Sequence, residues 1–406
     1  MTETDVAFNP FEPGYFENPY PQFEGLRDHD PVHETPFGTY FVTRHADVLR
    51  LLRDPSMSVS DEHAAPTPMD DLRTEALGDE NDLGGRRLSM LDRDPPDHTR
   101  LRRLVSRIFT PRRIGELAPR IQELVDGRLD ALADAAGGDL IGELAFPLPF
   151  DVISEMLGMP DSDRDQVRDW SGTVVRSLEP VVDPEVLKAI AEAGTNLDAM
   201  IREVIEWKRR HPDDRLLSML IEAEDDGDVL DDDELAAQVL LLFVAGHETT
   251  VNLIGNGVKA LIDHPDELVK LRAEPGLIES AVEEILRYDS PVQMSRRINL
   301  SDHELHGTTI PKGTFIVAGL AAANRDPRQF GETAGRLDIT RADAREHVAF
   351  GGGAHYCLGA ALARLEAQTA IGSLVNRFAF IEPRADAVYN GRINLRGLDT
   401  YDVALG

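Results

Sequence analysis

Apolar residues recur at intervals of three and four positions through most of the 406-residue chain. This spacing puts apolar side chains on one face of a helix, and it predicts helices over 114–135, 184–210, 214–223, 234–262 and 277–288. Strand-like segments are few and short, and they fall at 39–43, 298–300, 315–318 and around 393–402. The pattern therefore predicts a mainly α-helical fold with a minor β-sheet region.

Proline marks several of the predicted helix boundaries. The residue before a proline avoids the helical region, so Asp54-Pro55 and His264-Pro265 are predicted to end helices. Residues 160–162 have the composition of a helix start. The length allows two or three domains of about 150 residues, or one large domain. No internal repeat or Pro/Gly/Ser-rich linker marks a domain boundary.

Composition excludes several classes of protein. Acidic residues number 73 and basic residues 42, and the net charge of −31 disfavours binding to nucleic acid. A single cysteine excludes an internal disulfide, a multi-cysteine zinc site and an iron–sulfur cluster. The sequence has neither an apolar run of about 18 residues nor the pattern of a signal peptide. We therefore expect a cytoplasmic protein without a membrane anchor.

Two short segments carry concentrated charge of opposite sign. Residues 98–113 hold six arginines and no acid, whereas residues 222–234 hold nine acids. The acidic segment is predicted to be a solvated loop between helices. The basic segment is either a solvated helix face or a docking patch for an acidic partner, because complementary charges steer encounter.

The lone cysteine lies in a glycine-rich segment at 350–359, Phe-Gly-Gly-Gly-Ala-His-Tyr-Cys-Leu-Gly. An isolated cysteine is most often an inert buried thiol. Here, three successive glycines allow the backbone to approach a flat or bulky group, and a predicted helix at 360–378 follows. A helix N-terminus favours an anion, so Cys357 is expected to be a thiolate. The thiolate could be a nucleophile, with His355 as a weak candidate base, or a metal ligand.

This segment resembles the haem-binding signature of the cytochrome P450 superfamily. Every fixed position of the signature is filled, by Phe350, Gly353, His355, Cys357 and Gly359. The resemblance implies that Cys357 is the iron ligand of haem b and that Phe350, Gly351 and His355 lie at the cofactor.

The resemblance also implies a fold. It is the cytochrome P450 fold, mainly α with a minor β-sheet region, with haem between a long central helix and the cysteine loop. Residues 1–406 are then expected to form one domain, whose β-rich subregion comes from the N-terminal, 290–320 and 380–406 segments.

Residues 245–250, Ala-Gly-His-Glu-Thr-Thr, resemble the family's oxygen-activation motif on the central helix. A zinc-protease HExxH reading fails because position 251 is valine, and a Gly255-x-Gly257 dinucleotide pattern lacks a preceding strand. The resemblance places Ala245 at the haem and makes Glu248 and Thr249 the catalytic pair. A hydroxyl both donates and accepts, and a carboxylate titrates, so the pair is suited to relay protons.

Arginines and a histidine upstream resemble the family's ligands of the haem propionates. His98 and Arg102 are four residues apart, which puts both on one helix face, and both can donate to carboxylates. Arg297 matches a further propionate arginine, although its neighbour Arg296 could play that part instead. His355 is also expected to reach a propionate.

Glu284 and Arg287 resemble the family's Glu-x-x-Arg pair, and their spacing of three puts both on one face of a helix. The third partner of this pair is assigned to Arg336. With these motifs, the resemblance extends over roughly residues 10–406.

The resemblance implies a monooxygenase that hydroxylates or epoxidises a lipophilic small molecule with O2. Haem-thiolate ligation favours cleavage of the O–O bond. The chain has no convincing flavin or nicotinamide site, so electrons would come from a ferredoxin and its NAD(P)H-dependent reductase, and we expect a monomer. The ferredoxin would dock on Arg100, Arg103, Arg112 and Arg113. Candidate substrate contacts are Met90, Leu242, Val292 and Leu395.

Two alternatives to this function stay open. One is a peroxygenase driven by peroxide, which would need no ferredoxin; the intact Glu248–Thr249 pair argues against it. The other is a haem-thiolate binding or sensor protein without turnover, which would have no use for a proton relay.

Overall fold

The structure is a computed structural model that describes residues 7–68, 70, 74, 89–107, 109–159, 164–180, 183–225 and 227–406. Its α-helices in these ranges are α1 Tyr20–His29, α2 His45–Arg53, α3 Asp97–Ser106, α4 Pro111–Glu116, α5 Ala118–Asp134, α6 Pro147–Leu157, α7 Arg164–Val174, α8 Pro184–Arg210, α9 Leu216–Ile221, α10 Asp232–Asp263, α11 Pro265–Ala273, α12 Ile278–Tyr288, α13 Leu320–Asn324, α14 Pro327–Phe330 and α15 Ala360–Arg377.

The strands are short and are scattered along the chain. They are β1 Val32–Glu34, β2 Tyr40–Val42, β3 Met57–Ser58, β4 Gly137–Asp139, β5 Glu224–Asp225, β6 Asp228–Val229, β7 Ser295–Asn299, β8 His303–Leu305, β9 Thr308–Ile310, β10 Phe315–Ala318, β11 Ile381–Pro383, β12 Val388–Tyr389, β13 Leu398–Thr400 and β14 Asp402–Leu405.

The helical periodicity located the long helices well. The prediction over 184–210 coincides with α8, and the predictions over 234–262 and 277–288 agree with α10 and α12 to within two residues at either end. The prolines Pro55 and Pro265 follow helix ends as expected. The predicted helix start at 160–162 lies outside the described residues.

Proline also divides the basic segment at 98–113, which was expected to present a helix face, between two helices. α3 ends at Ser106, and α4 begins at Pro111 after Thr110, whose hydroxyl accepts a hydrogen bond from the Arg113 N–H. Proline is favoured at the first position of a helix, and a threonine before it satisfies a free backbone donor. Five of the six arginines of 98–113 therefore lie on two helices, and Arg107 lies just after the first of them.

The core is built around α10. Its first turn is closed by a capping box in which the Asp231 carboxylate accepts from the Glu234 N–H and the Glu234 carboxylate accepts from the Asp231 N–H. Among the described residues it is the one helix long and apolar enough to cross a membrane, and most of its apolar stretch is buried inside the fold. It packs against α6, α8 and α15. A Cβ at Gly257 would lie 2.8 Å from Ile371 Cδ1, so glycine permits the close approach of α15.

The principal sheet brings distant segments together. Its strand order is β1-β2-β10-β7-β3, and β7 pairs antiparallel with β10, with Arg297 opposite Ile316. The C-terminal strands form separate sheets, since β14 pairs with β11 and β4, and β12 pairs with β13. The two β-regions touch where Val292 and Leu395 form an isolated antiparallel bridge.

Candidate haem-thiolate active site

Cys357 lies in a tightly turned loop that precedes α15. Its backbone N–H donates to the Phe350 carbonyl at 3.0 Å, and the Gly351 N–H donates to the Val348 carbonyl at 2.8 Å. Gly351 has a φ of +71°, which glycine adopts without steric cost. These bonds close the loop on itself and hold the thiol just ahead of the first turn of α15.

Two of the three loop glycines serve packing within the protein. Gly353 has a φ of +66°, and a Cβ there would collide with the backbone oxygen of Leu52 in α2. A Cβ at Gly352 would lie 3.3 Å from Leu52 Cβ. The three glycines were expected to let a flat or bulky group approach the backbone. For Gly352 and Gly353 this expectation is corrected, because the element that approaches them is α2.

The environment of the thiol differs from the sequence expectation. Burial raises the pKa of Cys357 above its ordinary value, although the Gly359 N–H, the Arg102 and Arg364 guanidinium groups and the Ala360 N–H all act to lower it. For the thiol alone, desolvation therefore outweighs the helix start that was expected to favour the thiolate. A metal ion deprotonates a thiol that coordinates it.

His98 and His355 meet beside the cysteine loop. Their ring centroids are 4.1 Å apart, and neither ring nitrogen of the buried His98 has a hydrogen-bond partner among the residues that the structure describes. Burial, His98, Arg297 and Arg102 together lower the pKa of His355 to about 3, with nearby Asp94 acting in the opposite direction. An unpartnered buried polar group is costly, so this cluster fits a ligand that carries acceptor oxygens.

Two arginines complete this cluster of donors. Arg297 is buried, and its Nη1 donates to the Arg296 carbonyl at 2.7 Å and to Ser295 Oγ at 2.9 Å. Burial lowers the pKa of Arg297 to about 10. Arg102 Nη2 donates to the Tyr356 carbonyl at 2.6 Å, and burial lowers its pKa as well. Arg296 is exposed and pairs with Asp61 at 2.7 Å, so the geometry favours Arg297 over Arg296 for an anionic group.

Phe350 is fixed by cation–π packing. Arg364 lies 4.5 Å from the centre of its ring, and Arg364 in turn pairs with Glu283 of α12, with Nε 2.5 Å from Oε1. The His347 ring nitrogen is 3.1 Å from the other Glu283 oxygen. Burial acts to raise the pKa of Glu283, but His347 and Arg364 outweigh it and lower the pKa to about 2. This ionised carboxylate ties the cysteine loop to α12 and α15.

One face of α10 is accessible in the middle of the core. Ala245 is exposed and Thr249 half-buried, whereas Val244, His247 and Thr250 are buried. The Thr249 hydroxyl donates to the Ala245 carbonyl at 3.1 Å. A small residue beside a hydroxyl gives a surface that a flat group can contact, as the sequence analysis expected for Ala245.

Unlike Ala245 and Thr249, Glu248 places its side chain in a buried polar cluster. Its Oε2 is 3.0 Å from Arg392 Nη1, and its Oε1 is 3.2 Å from Ser171 Oγ and 3.6 Å from His247 Nε2. Burial acts to raise the pKa of Glu248, but His247 and Arg392 outweigh it and lower the pKa to about 2. Sequence reasoning missed Arg392 and Ser171, because no spacing links them to the motif on α10.

The Glu-x-x-Arg pair is confirmed as a buried ion pair, and its third partner is corrected. Arg287 Nε and Nη2 donate to the two Glu284 oxygens at 2.7 and 2.8 Å. Arg341 Nε donates to Glu284 Oε1 at 3.1 Å. The prediction of Arg336 is wrong, because a turn at 333–336 exposes its side chain and directs its carbonyl to Arg287 Nη2, 3.0 Å away. Arg341 carried no signal beyond its place soon after Arg336.

Two of the predicted substrate contacts are bonded to α10, at separate positions along the helix. Met90 N–H donates to Gln238 Oε1 at 3.1 Å, which puts Met90 one turn before Leu242. The Asn252 side chain donates to the Leu395 carbonyl at 3.4 Å, and Leu395 bridges to Val292. Met90, Leu242 and Leu395 are buried in the main core.

The docking arginines divide into two groups. Arg100 is partly buried and pairs with Asp228, at 3.1 Å, and with Glu234. Its inclusion in a docking patch is therefore corrected, since its charge is neutralised within the protein. The predicted acidic loop that supplies these partners contains the short strands β5 and β6. Arg103, Arg112 and Arg113 are exposed, and Arg112 pairs with Glu116 at 3.1 Å.

Comparison with known proteins agrees with this geometry. The sequence model of the family described as Cytochrome P450 matches residues 72–390. The chain is 44% identical over 404 residues to Vitamin D(3) 25-hydroxylase of Pseudonocardia autotrophica, covering 98% of this chain and 96% of that protein. It is 42% identical to Cytochrome P450 monooxygenase PikC of Streptomyces venezuelae, covering 89% and 84%.

A solved structure shares the whole fold. Myxobacterial cytochrome P450 CYP267B1, solved in complex with myristic acid, superposes with a TM-score of 0.89 at 38% identity, covering 98% of each chain. The unpartnered His98, the buried Arg297 and the accessible Ala245 face fit a planar cofactor with carboxylates. The chain therefore belongs to the cytochrome P450 family, as a monooxygenase of bacterial type whose cofactor is haem b.

Proposed function

We propose that this P450 inserts one oxygen atom from O2 into a lipophilic small molecule, by hydroxylation or epoxidation, with electrons from an external ferredoxin and its NAD(P)H-dependent reductase. The observation that carries the proposal is on α10, where the accessible Thr249 hydroxyl directly follows the ionised Glu248 in a helix that is otherwise core. We further propose that the protein acts as a cytoplasmic monomer.

The donors around the cysteine loop are the groups that would hold the haem. Cys357 Sγ would ligate the iron, and Phe350, Gly351 and Ala245 would contact the ring. The propionates would be held by His98, Arg102, Arg297 and His355. Haem, when bound, supplies the redox chemistry of O2, which no protein side chain provides.

The protein's part in turnover is to deliver protons on the α10 side. The Thr249 hydroxyl can accept a proton while it donates its own, because a hydroxyl carries one hydrogen and two lone pairs. Its bond to the Ala245 carbonyl, 3.1 Å long, holds the oxygen at the accessible face. Glu248 is buried behind this face and is the nearest carboxylate in sequence, so it is the group proposed to pass protons toward Thr249.

The residues proposed to contact the substrate support a substrate of low polarity. Met90, Leu242, Val292 and Leu395 are apolar; Leu242 lies on α10, Met90 and Leu395 are bonded to α10, and Val292 is bridged to Leu395. Pockets that bind such ligands are mainly apolar with a few polar groups. The names of the relatives, which include a vitamin D hydroxylase and a myristic acid complex, support the same class.

The exposed arginines support an acidic electron donor. Arg103, Arg112 and Arg113 lie on α3 and α4, and α3 also carries His98 and Arg102 toward the cysteine loop. In a chain with a net charge of −31, an acidic ferredoxin would be repelled elsewhere and steered to this surface.

The test is reconstitution with ferredoxin, reductase and NAD(P)H, after a screen of lipophilic compounds by the shift of the Soret band. The proposal predicts a product that carries one 18O atom from 18O2. Equal turnover with hydrogen peroxide and none with ferredoxin would identify a peroxygenase. A shift of the Soret band on compound binding, without turnover either with ferredoxin or with hydrogen peroxide, would identify a sensor or binding protein.

A further inference from the structure

Arg392 joins three parts of the fold with one guanidinium group. It lies in the C-terminal loop between β12 and β13, and its Nη1 is 3.0 Å from Glu248 Oε2 on α10. Its Nη2 donates to the Gly172 carbonyl on α7 at 3.1 Å. A Cβ at Gly172 would lie 3.4 Å from that Nη2, so the absence of a side chain gives the guanidinium access to the helix.

The remaining contacts of Glu248 come from α7 and from α10 itself. Ser171 Oγ is 3.2 Å from Glu248 Oε1 and 3.0 Å from His247 Nε2. His247 Nδ1 lies 2.7 Å from the Phe243 carbonyl, which fixes the ring. Among the described residues, the charged or titratable groups in contact with Glu248 are thus Arg392 and His247, and α7 adds the neutral Ser171 hydroxyl.

The two arginines of α7 contact other groups and not Glu248. The guanidinium of Arg168 lies 4.3 Å from the centre of the Phe146 ring, and that of Arg164 is 2.5 Å from Asp151 Oδ1. Arg392 is therefore the arginine in direct contact with Glu248 within the described part of the chain. A buried carboxylate without a partner is strongly disfavoured, so Arg392 shares with His247 and Ser171 the task of holding this side chain and stabilising its charge.

The same loop has a second attachment to the segment that follows α7. The Glu179 carboxylate accepts hydrogen bonds from three successive backbone N–H groups, those of Ile393 at 2.8 Å, Asn394 at 3.0 Å and Leu395 at 3.2 Å. This bond set fixes the loop residue next to Arg392 and the proposed substrate contact Leu395. The guanidinium of Arg392 is therefore held in place from its own loop.

We propose that Arg392 is a positioning residue for proton delivery, which orients the Glu248 carboxylate between the C-terminal loop and α7. The inference rests on the proposed relay role of Glu248. With Arg392 in place, Glu248 titrates far below neutral pH, and so its charge is constant over the range in which the enzyme is assayed. Without Arg392, the buried carboxylate keeps His247 but loses the one arginine in contact with it among the described residues, so its pKa moves upward.

The test compares Arg392→Gln with Arg392→Lys, and uses Arg384→Gln as the matched control. Arg384 is another arginine of the C-terminal region, and it pairs with Asp402 at 3.5 Å without contact to Glu248. The readouts are product formed per O2 consumed from pH 5 to 8 and the solvent deuterium isotope effect on turnover. Haem content and the carbon monoxide spectrum report whether each variant is folded.

The proposal predicts that Arg392→Gln lowers product per O2 several-fold and gives the pH profile an acid limb that the parent enzyme lacks. Arg392→Lys should restore the flat profile, and Arg384→Gln should match the parent. In a Glu248→Gln background, Arg392→Gln should add nothing further, because both changes act through one carboxylate. If Arg392→Gln does not accumulate as folded protein, Arg392→Met, which keeps a long side chain but removes the charge, takes its place in the same double-mutant cycle with Glu248→Gln.

The two failures are distinguishable. If Glu248→Gln leaves coupling unchanged, then the proposed relay itself is wrong. If Glu248→Gln uncouples the enzyme, but folded Arg392→Gln keeps the parent's pH profile or adds its full effect to Glu248→Gln, then the role of Arg392 is wrong and the relay stands.

Discussion

The imidazole rings of His98 and His355 lie 4.1 Å apart, centre to centre, beside the cysteine loop. One ring comes from α3 and the other from the turn before Cys357, so the contact joins the basic segment to the thiol. Each buried polar atom left without a partner costs about 1–3 kcal/mol, and both nitrogens of His98 are in that position. We propose that the propionates of haem provide the acceptors that this pair needs.

Replacing Thr249 by alanine is expected to separate oxygen consumption from product formation. The hydroxyl at the accessible face of α10 is lost, so protons no longer reach that face, and product formation falls by about 100-fold, the lower range for proton transfer by a positioned side chain. The measurement is product and hydrogen peroxide per O2 consumed. The neighbouring Thr250, which is buried, supplies the control Thr250→Val. Unchanged coupling in Thr249→Ala would remove Thr249 from the relay.

Reversing the charge of exposed arginines is expected to weaken the productive encounter with ferredoxin. Arg103→Glu, Arg112→Glu and Arg113→Glu together should slow ferredoxin-supported turnover about tenfold at low ionic strength and flatten its salt dependence. Arg345→Glu, at an exposed arginine that pairs with Glu279 at 3.7 Å, is the control. Rates and salt dependence equal to those of the parent would make these residues a solvated helix face.

Arg100 belongs to a different class from these three arginines. Its guanidinium pairs with Asp228 and Glu234, and it ties α3 to the first turn of α10. From the sequence, the charge of Arg100 was expected to be available to a partner protein. The acids that neutralise this charge lie more than a hundred positions away in the chain. Long-range pairing of this kind depends on tertiary packing, which no local spacing reveals.

Arg341 and Arg336 are expected to differ sharply in their effect on stability. Arg341→Gln removes a partner from the buried Glu284–Arg287 pair, and the loss should be about 3–5 kcal/mol in the free energy of unfolding. Arg336 contributes its backbone carbonyl and exposes its side chain, so Arg336→Gln should change stability by less than about 0.5 kcal/mol. Denaturant unfolding of both variants checks this, and equal losses would contradict the assignment.

Glu283 is expected to contribute to the acid sensitivity of the fold. Its pKa is about 2 in the folded protein, against about 4.3 for an ordinary glutamate, because His347 and Arg364 outweigh its burial. The stabilisation is therefore fully present above about pH 4.3 and is lost as the pH falls toward 2, about 3 kcal/mol in total. Glu283→Gln should be less stable at pH 7 and should lose less stability between pH 5 and 2. An unchanged pH dependence of unfolding would contradict this.

Local patterns in the sequence predicted the long helices and several residues of the site. The periodicity of apolar positions located α8, α10 and α12, and the resemblance to the family's Glu-x-x-Arg motif identified Glu284 with Arg287. The signature around Cys357 pointed to the family because all of its fixed residues lie within one loop. Features that depend on a single short segment were therefore readable from the sequence.

The remaining features depend on contacts between distant segments. Arg392 meets Glu248, and Arg341 meets Glu284, only because the C-terminal loop and the segment after Arg336 fold onto α10 and α12. The glycines at 352 and 353 face α2, which the sequence gives no reason to place there. The pKa of Cys357 also went against expectation, because burial is set by the whole fold and not by the helix that follows.

The central claim is that Cys357 is the proximal ligand of a haem iron. The most direct test is the absorption spectrum of the purified protein after reduction with dithionite and exposure to carbon monoxide, for the parent and for Cys357→Ala. We predict a strongly red-shifted Soret band for the parent, and its loss in the variant. A Soret band typical of histidine ligation, or a red-shifted band that persists in Cys357→Ala, would show that Cys357 is not the iron ligand.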